Sequence, residues 1–194
     1  MGVLAGEPAQ LLREGIEHHR RGMLDRAARL GVFGTKMRST INLASESGIA
    51  AIARQQFEIG AQIGRHGLVP ILEPEVLIKS PAKPKAEALL KDALARHLDA
   101  LPSDQRVMLK LTIPDVPDLY KDLIAHDRVV RVVALSGGYS RADACQRLAR
   151  NHGMIASFSR ALLEELRSSM SDATFNAALA QAIDEIYTAS TVKV

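Results

Sequence analysis

One lysine interrupts an apolar run of the sequence, VMLKL, at position 110. If this run is a β-strand, alternate side chains share a face, so Lys110 points to the same side as Met108 and Thr112. A charged amine turned toward an interior is costly unless it is paired or loses its proton, and an unprotonated amine is a nucleophile. The run alone leaves two interpretations open: a nucleophilic lysine, or a buried lysine neutralised by a carboxylate.

Charged residues also share faces of two preceding runs. Lys36 and Arg38 lie on one face of FGTKMRS. Glu73 and Glu75 lie on one face at the end of LVPILEPE. If these faces converge, a carboxylate could move the protons needed to form and remove a carbinolamine on an amine. Structural ion pairs could use the same residues, so both interpretations remain open here as well.

A glycine pair and an arginine favour an anion site. Gly137 and Gly138 follow an apolar run in ALSGGYS, and Arg160 follows the next run in IASFSRA. Glycines let backbone N–H groups approach an anion, although turns use glycine for positive φ anyway. Phosphate often binds at a loop that leads into a helix N-terminus, so the glycine pair together with Arg160 favours phosphate.

Five short apolar runs alternate with helix-like stretches. The predicted strands are Val32 to Met37, Leu68 to Leu72, Val107 to Leu111, Val129 to Leu135 and Met154 to Phe158. The predicted helices are residues 1–30, Gly48 to His66, Lys83 to Leu101, Leu119 to Ala125, Arg141 to Asn151, Ala161 to Met170 and Asp172 to Thr188, the last with Phe175, Leu179, Ile183 and Ile186 on one side. This alternation predicts an α/β fold in which parallel strands are joined by helices.

Charged residues at the ends of these strands indicate the active-site face of a (β/α)8 TIM barrel. Five strands do not close such a barrel, which usually needs about 250 residues. We therefore expect a single partial barrel domain over residues 1–194, with a leading helix at 1–30 and strands and helices from 32 to 194.

The composition argues against several functional classes. The 25 basic and 22 acidic residues are spread along the chain with a net charge of +3, so we expect no nucleic-acid partner. No apolar stretch is long enough for a bilayer, and no secretory segment is recognisable. The single cysteine, Cys145, forms no intrachain disulfide. We expect a cytoplasmic protein without a membrane partner and assign Cys145 no chemistry.

Five motifs, taken together and in order, resemble a known family. FGTKMRS, LVPILEPEV, VMLKLTIP, VVALSGGYSR and IASFSRAL are similar to successive strand motifs of the class I fructose-bisphosphate aldolases, particularly the bacterial type. The resemblance runs from about Phe33 to the C-terminus. It implies strands four to eight of a TIM barrel and a glycolytic and gluconeogenic lyase that cleaves fructose 1,6-bisphosphate into dihydroxyacetone phosphate and glyceraldehyde 3-phosphate.

The resemblance also implies roles for individual residues. Lys110 would form the Schiff base, so no metal or other cofactor is expected. Glu73 would be the acid/base of carbinolamine dehydration, with Lys36 binding substrate and tuning charge and Glu75 supporting the network. Arg38 would meet the aldehyde-end phosphate, while Ser136, Gly137 and Arg160 would hold the ketose-end phosphate, with Gly138 and Ser157 nearby.

The sequence departs from the family at its N-terminus. The family has three further strands, including a strand-one aspartate and a strand-three lysine, that have no counterpart here. A late start codon, a split or degraded gene, or a partner chain that completes the barrel would each explain this. Alternative functions are a catalytically weak or inactive phosphosugar-binding fragment and a lysine aldolase for another phosphorylated sugar. A homo-oligomer is a family-level expectation.

Overall fold

Five parallel strands form the centre of the computed structural model, which describes residues 21–194. They are β1 (Gly34–Ile41), β2 (Val69–Val76), β3 (Val107–Thr112), β4 (Val129–Leu135) and β5 (Ile155–Ala156). Their order in the sheet follows their order in the chain, and every neighbouring pair is parallel. Because all five strands run in the same direction, their carboxyl ends lie at the same edge of the sheet.

Helices precede, connect and follow the strands. They are α1 (21–29), α2 (Glu46–Gly64), α3 (Lys83–Asp99), α4 (Lys121–Ile124), α5 (Arg141–Ala149) and α6 (Asp172–Thr191). The hydroxyls of Ser45, Ser140 and Ser171 each accept a hydrogen bond from the backbone N–H of the third residue of α2, α5 and α6. In α3, Pro84 lies in the first turn, where a missing N–H costs no helical hydrogen bond. A serine cap thus marks the start of α2, α5 and α6, and a proline in the first turn marks the start of α3.

The core lies between the sheet and its helices. Leu72, Leu109, Leu111 and Val132 are completely buried on the helix-facing side, and burial of each such side chain is worth about 1.5–3 kcal/mol. On the opposite face of β3, Met108 and Lys110 are half-buried. The predicted division of β3 into an apolar face and a face carrying Lys110 is confirmed. The helix side therefore anchors β3, while the other side of the strand remains accessible.

The predicted alternation of strands and helices is confirmed, with differences at the boundaries. β4 has the predicted bounds, whereas β1 runs further, to Ile41, and β5 is shorter, at Ile155–Ala156. The predicted leading helix is present at 21–29, and the part of that prediction over residues 1–20 lies outside the described residues. Among residues 21–194, no helix combines the length and apolar character that a bilayer span needs.

The predicted helix from Ala161 to Met170 is wrong, because these residues form turns. Two carboxylates of this segment bind Arg141 on α5. Glu164 Oε2 accepts the Arg141 backbone N–H at 2.7 Å, and Glu165 Oε2 lies 2.9 Å from the Arg141 guanidinium. Leu163 is 53% exposed, so a helix here lacks a buried apolar face. A long-range hydrogen bond and a long-range ion pair to Arg141 therefore hold this segment in a non-helical conformation.

The apolar side predicted for the last helix is partly wrong. α6 is present and packs on α5 and β5. Its buried side chains are Ala182 and Ala189, whereas Ile183 is 49% exposed. Small residues allow α6 to approach its neighbours closely, which the spacing of its large apolar residues does not indicate.

Candidate active site

A cleft lies at the carboxyl ends of the strands, on the face that carries Lys110. It is lined by Lys36, Arg38, Glu73, Glu75, Lys110, Leu135, Ser136, Gly137, Ser157, Ser159 and Arg160. Nine of the ten residues proposed from the sequence are in this set. Gly138 is the tenth and belongs to the adjoining turn without lining the cleft. Strand ends that are far apart in sequence thus contribute to one surface.

Glu73 lies between two lysines. Its side chain is only 5% exposed. Its Oε2 atom lies 2.7 Å from Lys36 Nζ, and its Oε1 atom lies 3.6 Å from Lys110 Nζ. The longer distance is outside the hydrogen-bond range. Within residues 21–194, Glu73 is the only charged partner found for Lys110, whose amine is near a carboxylate without being held by it.

The backbone around Glu73 is fixed by Gln56 of α2. The Glu73 N–H donates to Gln56 Oε1 at 3.2 Å, and Gln56 Nε2 donates to Ser39 Oγ at 2.9 Å. Gln56 is buried, so its hydrogen bond to Glu73 is shielded from water, whereas its bond to Ser39 is partly buried. One amide side chain therefore joins β1 to β2 at the level of the Lys36–Glu73 ion pair.

A second carboxylate in the cleft has an arginine partner. Glu75 is buried, and its Oε2 atom accepts from Arg38 Nε at 2.6 Å. This hydrogen bond, together with the attraction of the Glu75 charge, raises the pKa of Arg38 above its ordinary value. The Arg38 side chain is 49% exposed. A permanently charged guanidinium is therefore positioned at the rim of the cleft, where it can meet an anion.

Thr112 joins the carboxyl ends of β2 and β3. The register between these strands pairs Ile71 with Met108 and Leu72 with Leu109. Beyond those pairs, buried Thr112 donates its hydroxyl to the Val76 carbonyl at 2.7 Å. This side-chain bond ties the strand of Glu73 to the strand of Lys110. The sequence showed that Thr112 shares a face with Lys110 but gave no signal of this acceptor.

The glycine turn follows β4 and leads into α5. Gly137 and Gly138 have φ of 62° and 105°, in the left-handed region that favours glycine. A Cβ on Gly137 would approach Ile78 Cγ2 to 2.7 Å. The Tyr139 N–H closes the turn on the Ser136 carbonyl at 2.9 Å. The result is bare backbone beside the N-terminus of α5, which is a suitable environment for an anion.

Residues after β5 complete this side of the cleft. The Ser157 N–H donates to the Ala134 carbonyl of β4 at 2.8 Å, which holds the segment beside the glycine turn. Arg160 is exposed and lines the cleft. Ser159 also lines it and was not proposed from the sequence. Its spacing of two residues from Ser157 was the available signal, because alternate residues of an extended segment share a face.

The described residues contain no cluster of three or more His, Cys, Asp or Glu side chains placed to hold a metal ion. Both cleft carboxylates are instead close to basic side chains, Glu73 to Lys36 and Lys110 and Glu75 to Arg38. This arrangement provides an accessible amine, a buried carboxylate beside it and donors for anions around the rim. Those are the groups that covalent amine chemistry on a phosphorylated carbonyl compound requires.

Known proteins resemble this chain in sequence and in fold. Class 1 fructose-bisphosphate aldolases are 56% identical over 168 residues in Synechocystis sp., 57% over 159 in Porphyromonas gingivalis and 51% over 168 in Clostridium acetobutylicum. These alignments include 82–87% of this chain but 54–57% of the relatives, so the chain spans about half the length of the curated relatives it matches. No protein-family model matches the chain.

A solved structure shows the same fold. The fructose-bisphosphate aldolase of Plasmodium falciparum matches with a TM-score of 0.65 at 18% identity, over 87% of this chain and 60% of that one. The predicted TIM-barrel class is thereby confirmed, with five parallel strands in this chain. The chain is a homologue of the class 1 fructose-bisphosphate aldolases, a family of lyases.

Proposed function

We propose that this cleft performs class 1 aldolase chemistry, the reversible cleavage of fructose 1,6-bisphosphate to dihydroxyacetone phosphate and glyceraldehyde 3-phosphate. The observation that carries the proposal is the position of Lys110. Its Nζ lies 3.6 Å from buried Glu73, and no hydrogen bond from this amine is found within residues 21–194. An amine that is near a proton carrier but not saturated by acceptors can attack a carbonyl carbon.

The residues of the cleft fit successive steps. The Lys110 amine adds to the substrate ketone, giving a carbinolamine, and Glu73 donates a proton to its hydroxyl so that water leaves and an iminium forms. A base takes the proton of the C4 hydroxyl, and the iminium accepts the electron pair of the C3–C4 bond as the aldehyde departs, leaving an enamine. Protonation of the enamine and addition of water then release dihydroxyacetone phosphate and restore the amine. This route uses no metal or other cofactor.

The remaining residues bind and support. Lys36 shares the Glu73 carboxylate with Lys110 and contacts substrate, while Glu75 holds Arg38 for the aldehyde-end phosphate. Ser136, Gly137 and Arg160 receive the ketose-end phosphate, with Gly138 and Ser157 close by. Family resemblance assigns an aspartate of strand one to carbon–carbon cleavage. Because this chain spans about half the length of its relatives, complete turnover is proposed for a protein of the relatives' length.

Reductive trapping tests the proposal in this chain. Borohydride added with dihydroxyacetone phosphate should leave a covalent mass on Lys110, located by peptide mass spectrometry, and Lys110→Arg should remove it. The matched control is Lys83→Arg, which changes the buried lysine on the opposite side of the sheet and should keep the label. A folded wild-type chain that remains unlabelled at Lys110 contradicts the proposal.

A second candidate function is phosphosugar binding without catalysis. The glycine turn, Arg160 and the Arg38–Glu75 pair all lie within this chain, which spans about half of its relatives. Calorimetric binding of dihydroxyacetone phosphate without reductive trapping would select this candidate. EDTA-insensitive cleavage of another phosphorylated sugar would instead select a different lysine aldolase.

The same proposal covers the domain organisation of the chain, its partners and its location in the cell. We infer a single partial barrel domain in this chain, with a phosphorylated sugar as its partner and with neither a nucleic-acid nor a membrane partner. A cytoplasmic location and a homo-oligomer agree with a glycolytic aldolase and remain predictions. Light scattering and cell fractionation of the expressed protein measure them directly.

A further inference from the structure

A second charged cluster lies on the helix side of the sheet, just beyond the carboxyl end of β3. Lys83 and Glu87 are adjacent on α3, with side chains 4% and 0% exposed, and their Nζ and Oε1 atoms are 2.6 Å apart. Lys83 Nζ also donates to the Ile113 carbonyl at 3.0 Å. The segment that follows the Lys110 strand is thereby bound to α3.

Asp115 is the partly exposed member of this cluster, with a side chain that is 33% exposed. Its Oδ1 atom accepts from Lys83 Nζ at 2.9 Å and from Arg147 Nη1 at 3.3 Å. Its backbone N–H donates to Glu87 Oε2 at 3.1 Å. Asp115 is therefore tied on one side to buried groups and on the other to Arg147, which belongs to α5.

Arg147 connects Asp115 to the glycine turn of the cleft. Its guanidinium carbon lies 4.4 Å from the centre of the Tyr139 ring, and its Nε donates to Asp143 at 3.0 Å. Tyr139 follows Gly138 directly and closes the turn on Ser136. A cation held over an aromatic face restrains that ring. The path from Asp115 through Arg147 to Tyr139 consists of direct contacts throughout.

We propose that Asp115 is a positioning residue that couples the end of the Lys110 strand to the glycine turn and thereby sets the phosphate affinity of that turn. The inference rests on the proposed function, because it takes Ser136, Gly137 and Gly138 as a phosphate site. Asp115 is absent from the cleft lining and acts through Arg147 and Tyr139. Its effect is on the geometry of the backbone donors.

The direction in which phosphate affinity changes when Asp115 is replaced distinguishes positioning from simple electrostatics. Removal of a carboxylate near an anion site strengthens anion binding if only the charge matters, because like charges repel. Loss of positioning weakens binding, because the backbone donors of the turn are no longer held in place. Asp115→Ala therefore has opposite outcomes under the two explanations. Asp122→Ala is the matched control, since it removes an exposed carboxylate paired with Lys91, away from the turn.

The first experiment uses inorganic phosphate and does not depend on the Schiff base. Phosphate is titrated into 15N-labelled chain while the amide signals of Gly137 and Gly138 are followed. We expect Asp115→Ala and Arg147→Met to bind about threefold to tenfold more weakly than wild type, the size given by a partly exposed cation–π contact. Asp122→Ala should bind as wild type. The double variant Asp115→Ala/Arg147→Met should be no weaker than Arg147→Met alone, because both residues act along one path.

The second experiment compares two ketones by borohydride trapping. Asp115→Ala should lower trapping with dihydroxyacetone phosphate more than trapping with dihydroxyacetone, which has no phosphate. General loosening of the fold would lower both equally, and Arg147→Met repeats the comparison if Asp115→Ala unfolds. Phosphate affinity that is unchanged or increased in Asp115→Ala overturns the inference alone, and if Asp115→Ala does not fold, the same result in Arg147→Met does so. A wild-type glycine turn that does not respond to phosphate overturns the phosphate site and the inference with it, whereas absence of trapping with normal phosphate binding overturns only the Schiff-base proposal.

Discussion

Two lysine–glutamate pairs with buried carboxylates lie on opposite faces of the same part of the sheet, and they differ in how many acceptors surround the lysine amine. Lys83 Nζ has three acceptors, on Glu87, Asp115 and Ile113. Lys110 Nζ has one charged neighbour among the described residues, the Glu73 carboxylate at 3.6 Å. A saturated ammonium holds the fold together, whereas an unsaturated amine remains free to react. The same residue types therefore serve different purposes according to their number of partners.

The largest expected effect is on stability at the saturated pair. Lys83→Met leaves Glu87 buried without its closest counterion, so we expect a loss of about 3–5 kcal/mol in the free energy of unfolding. Lys110→Met is the matched substitution, and we expect about 1 kcal/mol or less because Glu73 keeps Lys36 at 2.7 Å. Urea unfolding measures both. Equal losses in the two variants would show that partner saturation does not distinguish the pairs.

The stability loss in Lys83→Met should also depend on pH. Burial raises the pKa of Glu87, and the hydrogen bond and charge of Lys83 oppose that rise. Without Lys83 the folded-state pKa rises further, so the folded chain binds a proton more tightly than the unfolded chain does. Stability then increases as the pH falls, and the deficit relative to wild type should shrink between about pH 7 and pH 5. A constant deficit over this range would contradict an unpaired carboxylate as its cause.

The second prediction compares the two glutamates in chemistry. Glu73→Gln removes the proton carrier beside Lys110, so we expect reductive trapping with dihydroxyacetone phosphate to slow about 100-fold. Glu87→Gln should leave trapping by the folded fraction unchanged, because Lys83 keeps Asp115 and the Ile113 carbonyl on the far side of the sheet. Rates from quenched mass spectrometry, corrected for folded fraction by circular dichroism, provide the test. A Glu73→Gln chain that traps at the wild-type rate would exclude Glu73 from proton transfer.

The contrast between the pairs also explains which parts of the molecule the sequence predicts. The face of Lys110 follows from strand alternation, which depends only on local geometry, and the structure has it as predicted. Lys83 and Glu87 have the spacing of an ordinary surface pair on a helix, so nothing local indicates that the segment beyond β3 buries them. The turns at 161–170 were wrongly predicted as a helix for the same reason, because Glu164 and Glu165 bind Arg141 from a distant part of the sequence.

The third prediction extends the comparison to the glycine turn, where space is required instead of charge. Gly137→Ala needs a positive φ and brings Cβ to 2.7 Å from Ile78 Cγ2, so we expect a loss of about 1–3 kcal/mol and weaker phosphate binding. Gly138→Ala has the positive φ but only an ordinary contact of 3.6 Å with Ile78 Cδ1. Adding Ile78→Ala should recover part of the loss at Gly137 and little at Gly138. Thermal unfolding of the four variants separates collision from backbone strain, and equal recovery at both positions would rule out the collision.

The smallest loss of stability is expected at the exposed pair of Asp118 and His152, which tests whether burial is needed for a charged pair to stabilise the fold. The backbone N–H of His152 donates to the Asp118 carboxylate, and this hydrogen bond is the main reason that the pKa of Asp118 is lowered. A hydrogen bond from the His152 side chain lowers the same pKa by a smaller amount. Because the pKa of Asp118 is lower in the folded chain, its ionisation stabilises the fold at pH values above the unfolded-state pKa of about 3.9. This stabilisation is lost as the pH falls through the folded-state pKa.

Asp118→Asn should therefore lower the free energy of unfolding by less than about 1 kcal/mol at neutral pH, and this difference should shrink below about pH 4. Asparagine also tolerates the positive φ of 59° at this position. Asp127→Asn, at another exposed carboxylate, is the control and should leave the free energy of unfolding at neutral pH unchanged. A loss at Asp118 as large as that of Lys83→Met would mean that the number of partners stabilises these pairs regardless of burial.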